Sequence, residues 1–235
     1  MKILAIDIGA GTKDIMLYDS EKRNIENCIK MVLPSPTQTF AAKVKEAARQ
    51  GKDIFVNGDT IGGGALTSAL KTHIEKGLRV VVTESAAYTI RNVLDEVKQL
   101  GIQVVTEDTE PQEFKGETIT LEELNLNQLQ LFLEGLGEAF TDIDVVAIAV
   151  QDHGVFPHGI SNRKFRIQKM RELLKEKSKP ENLAFKEDEI PPCFLRMKSA
   201  AQASKRQLPN AKVLLMDTSL DAVLGCLKDP VAVKA

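Results

Sequence analysis

The order in which short apolar segments recur restricts this chain more than any other feature. Lys2 to Ile8, Asp14 to Tyr18 and Ile25 to Leu33 follow one another across short polar or glycine-rich connections, too short for a crossover. Three consecutive antiparallel strands are therefore expected. Pro34-Ser35-Pro36 breaks the sheet, and from Thr37 to Gln50 the apolar residues Phe40, Val44 and Ala47 or Ala48 share one helical face. The rhythm then becomes alternation. A strand at Asp53 to Asn57, a helix carrying Leu66, Leu70 and Ile74, a strand at Arg79 to Thr83, a helix over Ala86 to Leu100 and a strand at Ile102 to Val105 succeed one another. Such alternation predicts parallel pairing with right-handed crossovers.

After a polar stretch from Glu107 to Thr120, Leu126, Leu129, Leu133, Leu136 and Phe140 recur at helical spacing and lead into Ile143 to Val150. That run is continuously apolar, as a strand buried on both faces would be. Residues 1–150 are thus expected to form an α/β lobe with a mixed sheet. Residues 151–210 read as a loop-rich insert with one basic helix near Arg163 to Lys177, because Pro180, Pro191, Pro192 and Pro209 punctuate the rest. Regular α/β pattern resumes with a strand at Val213 to Met216 and a short helix at Leu220 to Leu227. Residues 211–235 are expected to open a second lobe that the chain leaves incomplete, with a further strand starting at Val231-Ala232-Val233.

Charge and cysteine content narrow the function classes. Lys and Arg number 31 against 33 Asp and Glu, a net charge of -2, so no global field draws the chain to nucleic acid or an anionic membrane. Any basic surface has to be local, as in the run from Arg163 to Lys179, which contains Arg166. Cys28, Cys193 and Cys226 are scattered without a C-x-x-C pair, a pattern that suits neither a disulfide framework nor a zinc or iron–sulfur site. A reducing, cytoplasmic setting is expected.

Chemistry is expected first at Ile6-Asp7-Ile8-Gly9-Ala10-Gly11-Thr12-Lys13-Asp14. Asp7 leaves a buried strand beside glycines whose amides can approach an anion without a Cβ in the way, which suits phosphate with Mg²⁺. Mg²⁺ keeps several waters and takes one or two carboxylates plus phosphate oxygens, so Asp7 suffices on the protein side. A plain glycine hairpin with a solvated Asp is the structural alternative. A second cluster, Gly58-Asp59-Thr60-Ile61-Gly62-Gly63-Gly64, joins a strand to a helix, where Gly62, Gly63 and Gly64 are candidates for binding phosphate or carboxylate. A tight connection needing glycine geometry is the alternative there. A third follows Val150: Asp152 or Gln151 is placed to orient a water or nucleophile, and His153 to carry a proton. A metal site of Asp152, His153 and His158, or a merely hydrogen-bonded polar loop, are the other readings. His73 reads as a packing or surface residue.

The hairpin D-I-G-A-G-T-K-D between the first two strands, followed by alternating helices and strands, resembles the phosphate-binding opening of the actin, sugar kinase and Hsp70 superfamily, built on ribonuclease-H-like lobes. The resemblance implies ATP and Mg²⁺ as cofactors, Asp7 holding the metal through water, and Gly9, Gly11 and Thr12 embracing the phosphates. It also implies a second acidic phosphate loop, for which Asp217 is the candidate, although a helix rather than a glycine hairpin follows Asp217 here. A closer resemblance covers nearly the whole chain. The segments G-D-T-I-G-G-G-A-L-T, A-V-Q-D-H-G-V-F-P-H-G-I-S-N-R-K-F-R, I-P-P-C-F-L-R-M and M-D-T-S-L-D-A-V-L-G-C-L-K-D-P are similar to blocks of an uncharacterised prokaryotic family sometimes labelled pyruvate formate-lyase activating protein.

The expected function is therefore nucleotide-phosphate binding with phosphoryl transfer to, or hydrolysis on, an unknown small-molecule or protein acceptor. A ribonuclease-H-like nuclease recruiting Glu84, Asp144 or Asp152 beside Asp7, and a noncatalytic binding or regulatory module, are the competing readings.

Overall fold

The structure is a computed structural model that describes residues 1–22, 24–109, 114–156, 159–176, 179 and 183–228. The chain divides into two compact units. The first comprises Met1–Leu33, Leu124–Gly154 and Ile160–Ala235, the second Pro34–Glu123 and Val155–Gly159. Both are α/β. Residues 229–235, which include the strand expected at Val231, lie outside the described residues, as does His158.

The first unit is built on a six-stranded mixed sheet in the order β3-β2-β1-β8-β10-β9. β1 (Lys2–Ile8) and β2 (Thr12–Asp19) form an antiparallel hairpin in register from Lys2↔Asp19 to Ile8↔Lys13. β3 (Ile29–Pro34) lies beside β2, preceded by a 3-10 turn over Ile25–Asn27 where the sequence pattern suggested strand. β8 (Val145–Val150) pairs in parallel with β1, and β10 (Lys212–Met216) in parallel with β8. The strand at 212–216 thus belongs to the same sheet as the opening hairpin. β9 (Phe185–Lys186) pairs antiparallel to β10.

Side-chain alternation decides which face of this sheet is covered. Leu4, Ile6, Ile8, Ile15, Leu17, Val146, Ile148, Val213 and Leu215 are buried with Leu129 and Leu133 of α5 (Asn127–Gly135) and Met197, Ala200 and Ala201 of α7 (Leu195–Gln207) in one core. Each large aliphatic buried there contributes about 2 kcal/mol of hydrophobic stabilisation. The intervening residues Ala5, Asp7, Met16, Ala147 and Leu214 are only half-buried. β8 therefore alternates over its first residues, where its apolar run suggested burial on both faces. The expected basic helix is α6 (Asn162–Glu176), and the second helix, α7, runs through what the prolines had marked as loop. Pro191 and Pro192 precede its start instead of interrupting it.

The second unit carries a four-stranded parallel sheet, order β6-β5-β4-β7. β4 (Ile54–Gly58), β5 (Val80–Thr83) and β6 (Gln103–Val105) alternate with helices as the periodicity predicts. β7 (Glu117–Leu121) lies in the polar stretch; only Ile119 and Leu121 of its E-T-I-T-L are buried, a half-exposed alternation that the threonines disguise. α1 (Pro36–Arg49) and α2 (Gly64–Glu75) pack Phe40, Ala41, Val44, Leu66 and Leu70 into the core of this unit. The helix expected over Ala86 to Leu100 is broken into α3 (Glu84–Ala87) and α4 (Leu94–Gln99). The break has a cause: the Thr89 hydroxyl accepts a hydrogen bond from the Ile61 amide at 2.9 Å, which ties this segment to the loop after β4. Among the described residues no helix is long and apolar enough to cross a membrane.

Candidate functional site

Parallel strands deliver their last residues to one end of a sheet, and the first unit uses this three times. In register, Asp7 of β1 and Met216 of β10 both face Ala149 of β8. Each strand then releases a carboxylate at or just beyond this level: Asp7, Asp152 and Asp217. Their environments differ sharply.

Asp7 is half-buried, and its Oδ1 accepts a hydrogen bond from the Thr218 hydroxyl at 3.1 Å. It also lines a cavity of about 700 Å³ on the less covered face of the sheet, together with Ala5, Met16, Ala149, Met216 and Asp221. This volume falls within the range of small-molecule sites. Asp221 is an exposed residue of α8 (Thr218–Lys228), but where its carboxyl meets the cavity wall its pKa is raised, first by desolvation and then by the negative charge of Asp7.

The hairpin after Asp7 is closed by the Gly9 amide donating to the Thr12 carbonyl at 2.9 Å. Neither Gly9 nor Gly11 has positive φ. A Cβ on Gly9 would lie 3.2 Å from the Thr12 carbonyl oxygen, a tight contact, whereas one on Gly11 would have nothing within 4 Å among the described residues. Backbone conformation and packing therefore do not require glycine at 11. Its effect is to leave the main chain at an exposed hairpin tip open to close approach. Thr12 donates through its hydroxyl to Asp14 Oδ2 at 2.8 Å.

Asp152 is 3% exposed, and both of its oxygens are engaged. Oδ1 accepts from the Gly154 amide at 2.8 Å, and Oδ2 from the Met197 amide at 3.0 Å, in the first turn of α7. This carboxylate caps the first turn of α7 and fixes the turn at Gly154. Asp217 is 2% exposed. Its Oδ1 accepts from the Ser219 amide at 2.9 Å at the start of α8, and its Oδ2 lies 3.3 Å from Arg166 Nε. His153 stands next to this pair. Burial, then the charges of Arg166 and Arg196, hold its pKa below the usual histidine value, and Asp217 opposes them. His153 is accordingly neutral at pH 7.

Sequence reasoning missed Thr218, Arg196 and Asp221 as neighbours of these carboxylates. Thr218 and Asp221 adjoin Asp217 in sequence and follow it into α8, so strand-end logic carried one turn further finds them. Arg166 stood inside the basic run, where nothing separates the side chain that turns inward from those that remain outside.

In the second unit the glycine cluster after β4 is tied into the fold. Gly58 has φ +93°, and a Cβ there would lie 2.4 Å from the Leu121 carbonyl oxygen. A Cβ on Gly63 would lie 2.3 Å from the Thr89 carbonyl oxygen. The Asp59 amide donates to the Leu121 carbonyl at 2.9 Å, and the Asp59 carboxylate accepts from the Glu123 amide at 3.2 Å. Thr60 donates to the Ser85 carbonyl at 2.7 Å. At the start of α2, Thr37 Oγ1 accepts from the Leu66 amide at 3.1 Å and donates to the Gly63 carbonyl at 3.0 Å. Gly62 is half-buried in the same loop, and Gly64, at φ +22°, starts the helix. The side chains of Asp59 and Thr60, which a mere turn would not require, thus have inward partners. The two glycine clusters belong to different units.

Residues 61–235 match the family described as "Putative pyruvate format-lyase activating enzyme (DUF1786)". The chain belongs to this family. No curated protein matches it. The activity in the DUF1786 description calls for an iron–sulfur cluster held by neighbouring thiolates, and the cysteines do not fit one. Cys28 is buried beside β3, Cys193 is half-buried before α7, and Cys226 is exposed on α8. Among the described residues no group of three or more His, Cys, Asp or Glu side chains is arranged to hold a metal ion. Burial also pushes the Cys193 thiol pKa up, away from the thiolate that a cluster requires.

Proposed function

We propose that the first unit binds the phosphates of a nucleotide together with Mg²⁺, and that the protein is an ATP-dependent phosphotransferase or ATPase built on a ribonuclease-H-like, actin-type lobe. The observation that carries this reading is the hairpin at Gly9–Thr12. It follows a half-buried carboxylate directly, and at its exposed tip glycine 11 is required by neither φ nor packing. An antiparallel hairpin joined edgewise to the parallel strands β8 and β10 supports the lobe assignment.

In this reading Asp7 would hold the cation through water, and Mg²⁺ when bound would supply neutralisation of the phosphate charge. The amides around Gly11 approach the phosphate oxygens, and Thr218 orients Asp7 by its hydrogen bond. Attack by an acceptor or water oxygen on the terminal phosphorus forms one P–O bond while the bond to the departing diphosphate breaks, and catalysis rests on positioning and charge. Asp152 has both oxygens engaged with backbone amides, and the neutral His153 is the proton carrier.

Calorimetry of the full chain with ATP and ADP, with and without Mg²⁺, tests the proposal. Metal-dependent binding that falls at least about a hundredfold in Asp7→Ala is expected, since the carboxylate that holds the hydrated cation is lost. Absence of any Mg²⁺-dependent nucleotide binding in the wild type sinks it. Binding without turnover would reduce the protein to a nucleotide-controlled module. The nuclease alternative needs several carboxylates gathered around metal, and among the described residues no group of three or more His, Cys, Asp or Glu is arranged to hold an ion.

A further inference from the structure

Beyond the nucleotide reading, the end of β8 has the character of a second binding site. Gln151, the first residue after the strand, is held between two guanidiniums. Its side-chain oxygen, in the amide orientation that the network requires, accepts from Nη1 and Nη2 of Arg166 on α6, the latter at 3.2 Å. Its backbone carbonyl accepts from Nη1 of Arg196 on α7. Arg166 Nη2 also donates to Ser219 Oγ at 3.1 Å. Arg166 is thereby anchored at its outer nitrogens, while its Nε faces Asp217 Oδ2 at 3.3 Å. That oxygen is buried and receives no hydrogen bond of proper geometry among the described residues. The contact is a loose ion pair, which a better-shaped acceptor can replace.

His153 adds a second unmet demand, since its Nδ1 is buried without a hydrogen-bond partner among the described residues. The groups charged or titrating around it are Arg166 from α6, Arg196 from α7 and Asp217 after β10. Among the described residues the carboxylates here are already engaged, Asp152 with two amides and Asp217 with one amide and Arg166. What this strand end offers a ligand is guanidinium N–H and a neutral imidazole. A ligand group that arrives already ionised finds donors in a planar fork.

We infer that Arg166, Arg196 and His153 form a subsite for the oxyanion of a second ligand, a carboxylate or phosphate group, and that the Arg166–Asp217 ion pair is its closed form. On binding, the oxyanion takes over Arg166 Nε from Asp217, and His153 becomes protonated in the field of the added negative charge. The subsite stands whether or not the hairpin takes a nucleotide, and the two have separate readouts.

The test is an NMR titration of the full chain with inorganic phosphate and, separately, acetate, following the His153 imidazole resonance assigned through His153→Gln. A saturable shift with a raised His153 pKa is expected, and the anion that produces it identifies the ligand's oxyanion. Arg166→Gln and Arg196→Gln should each weaken the response at least about tenfold, the scale of a hydrogen bond to a charged group. Arg166→Lys, which keeps the charge but loses the fork, should fall between them and the wild type. Arg171→Gln, in the groove that α6 forms with Ser161 and Ile167, should leave it unchanged. Thermal unfolding of each variant separates lost binding from lost folding. The subsite is overturned if neither anion moves the His153 resonance, or if folded Arg166 and Arg196 variants respond like the wild type.

Discussion

The two glycine loops look alike in sequence and differ in cause. In the second unit, Gly58 and Gly63 are demanded by the fold: one has positive φ, and a Cβ on either would collide with a carbonyl oxygen. In the first unit, Gly11 meets neither demand. A glycine that packing requires says nothing about ligands, because any other residue would have broken the loop. A glycine that packing does not require calls for another reason, and exposure of the main chain to a phosphate is one that chemistry supplies. The comparison shifts the weight of the functional reading onto the hairpin and away from the loop of three consecutive glycines.

The sharpest way to break this contrast is Gly58→Ala. Left-handed strain plus a backbone clash should cost about 4 kcal/mol of stability in the second unit. Denaturant unfolding measures it, and a variant as stable as the wild type would show that the loop is not locked as described. Next comes Asp152→Ala, which leaves the buried amides of Gly154 and Met197 without their acceptor. A loss of about 2 kcal/mol is expected. If activity falls while stability holds, Asp152 acts in chemistry and not as a cap.

Much of the fold was legible because it rests on periodicity. The opening hairpin, β4, β5, α1, α2, α6 and β10 follow from apolar spacing and glycine or proline punctuation. Two features were hidden for physical reasons. β7 has threonines on its exposed side and so lacks an apolar run, and the helix after β5 is interrupted by a tertiary hydrogen bond from Ile61 to Thr89, which no local pattern encodes. Of the site, the strand-end carboxylates could be found, but their different duties could not. Whether Asp152 caps a helix or serves as a base depends on Met197, forty-five residues away.

His73, on the helix that the second loop starts, gives a smaller and pH-dependent effect. It is fully buried, and neither ring nitrogen has a hydrogen-bond partner of ordinary geometry, although the carbonyls of Val44 and Lys52 lie close enough to favour the charged form. Burial dominates and lowers its pKa. A histidine whose folded pKa is depressed contributes fully above its unfolded value near 6.5 and loses that contribution as the pH falls below it. Stability should therefore decline on acidification from pH 6.5 downward. His73→Leu should flatten part of that decline and add about 1 kcal/mol at neutral pH by removing an unsatisfied polar group. An unchanged pH profile would show that the imidazole has a partner.

The smallest effect on stability carries the most information. Gly11→Ala adds one methyl group where no atom stands within 4 Å and where φ already suits any residue. Stability should stay within about 0.5 kcal/mol of the wild type, as for most surface substitutions. If phosphate oxygens approach that backbone, the same methyl group occupies their space, and ATP affinity should drop by about tenfold, equivalent to about 1.4 kcal/mol. Calorimetry and unfolding on the same sample read both numbers. A substitution neutral for both would remove the reason for glycine at this position and return the hairpin to an ordinary turn. One that destabilises the first unit would place Gly11 in the same class as Gly58, and the contrast between the two loops would collapse.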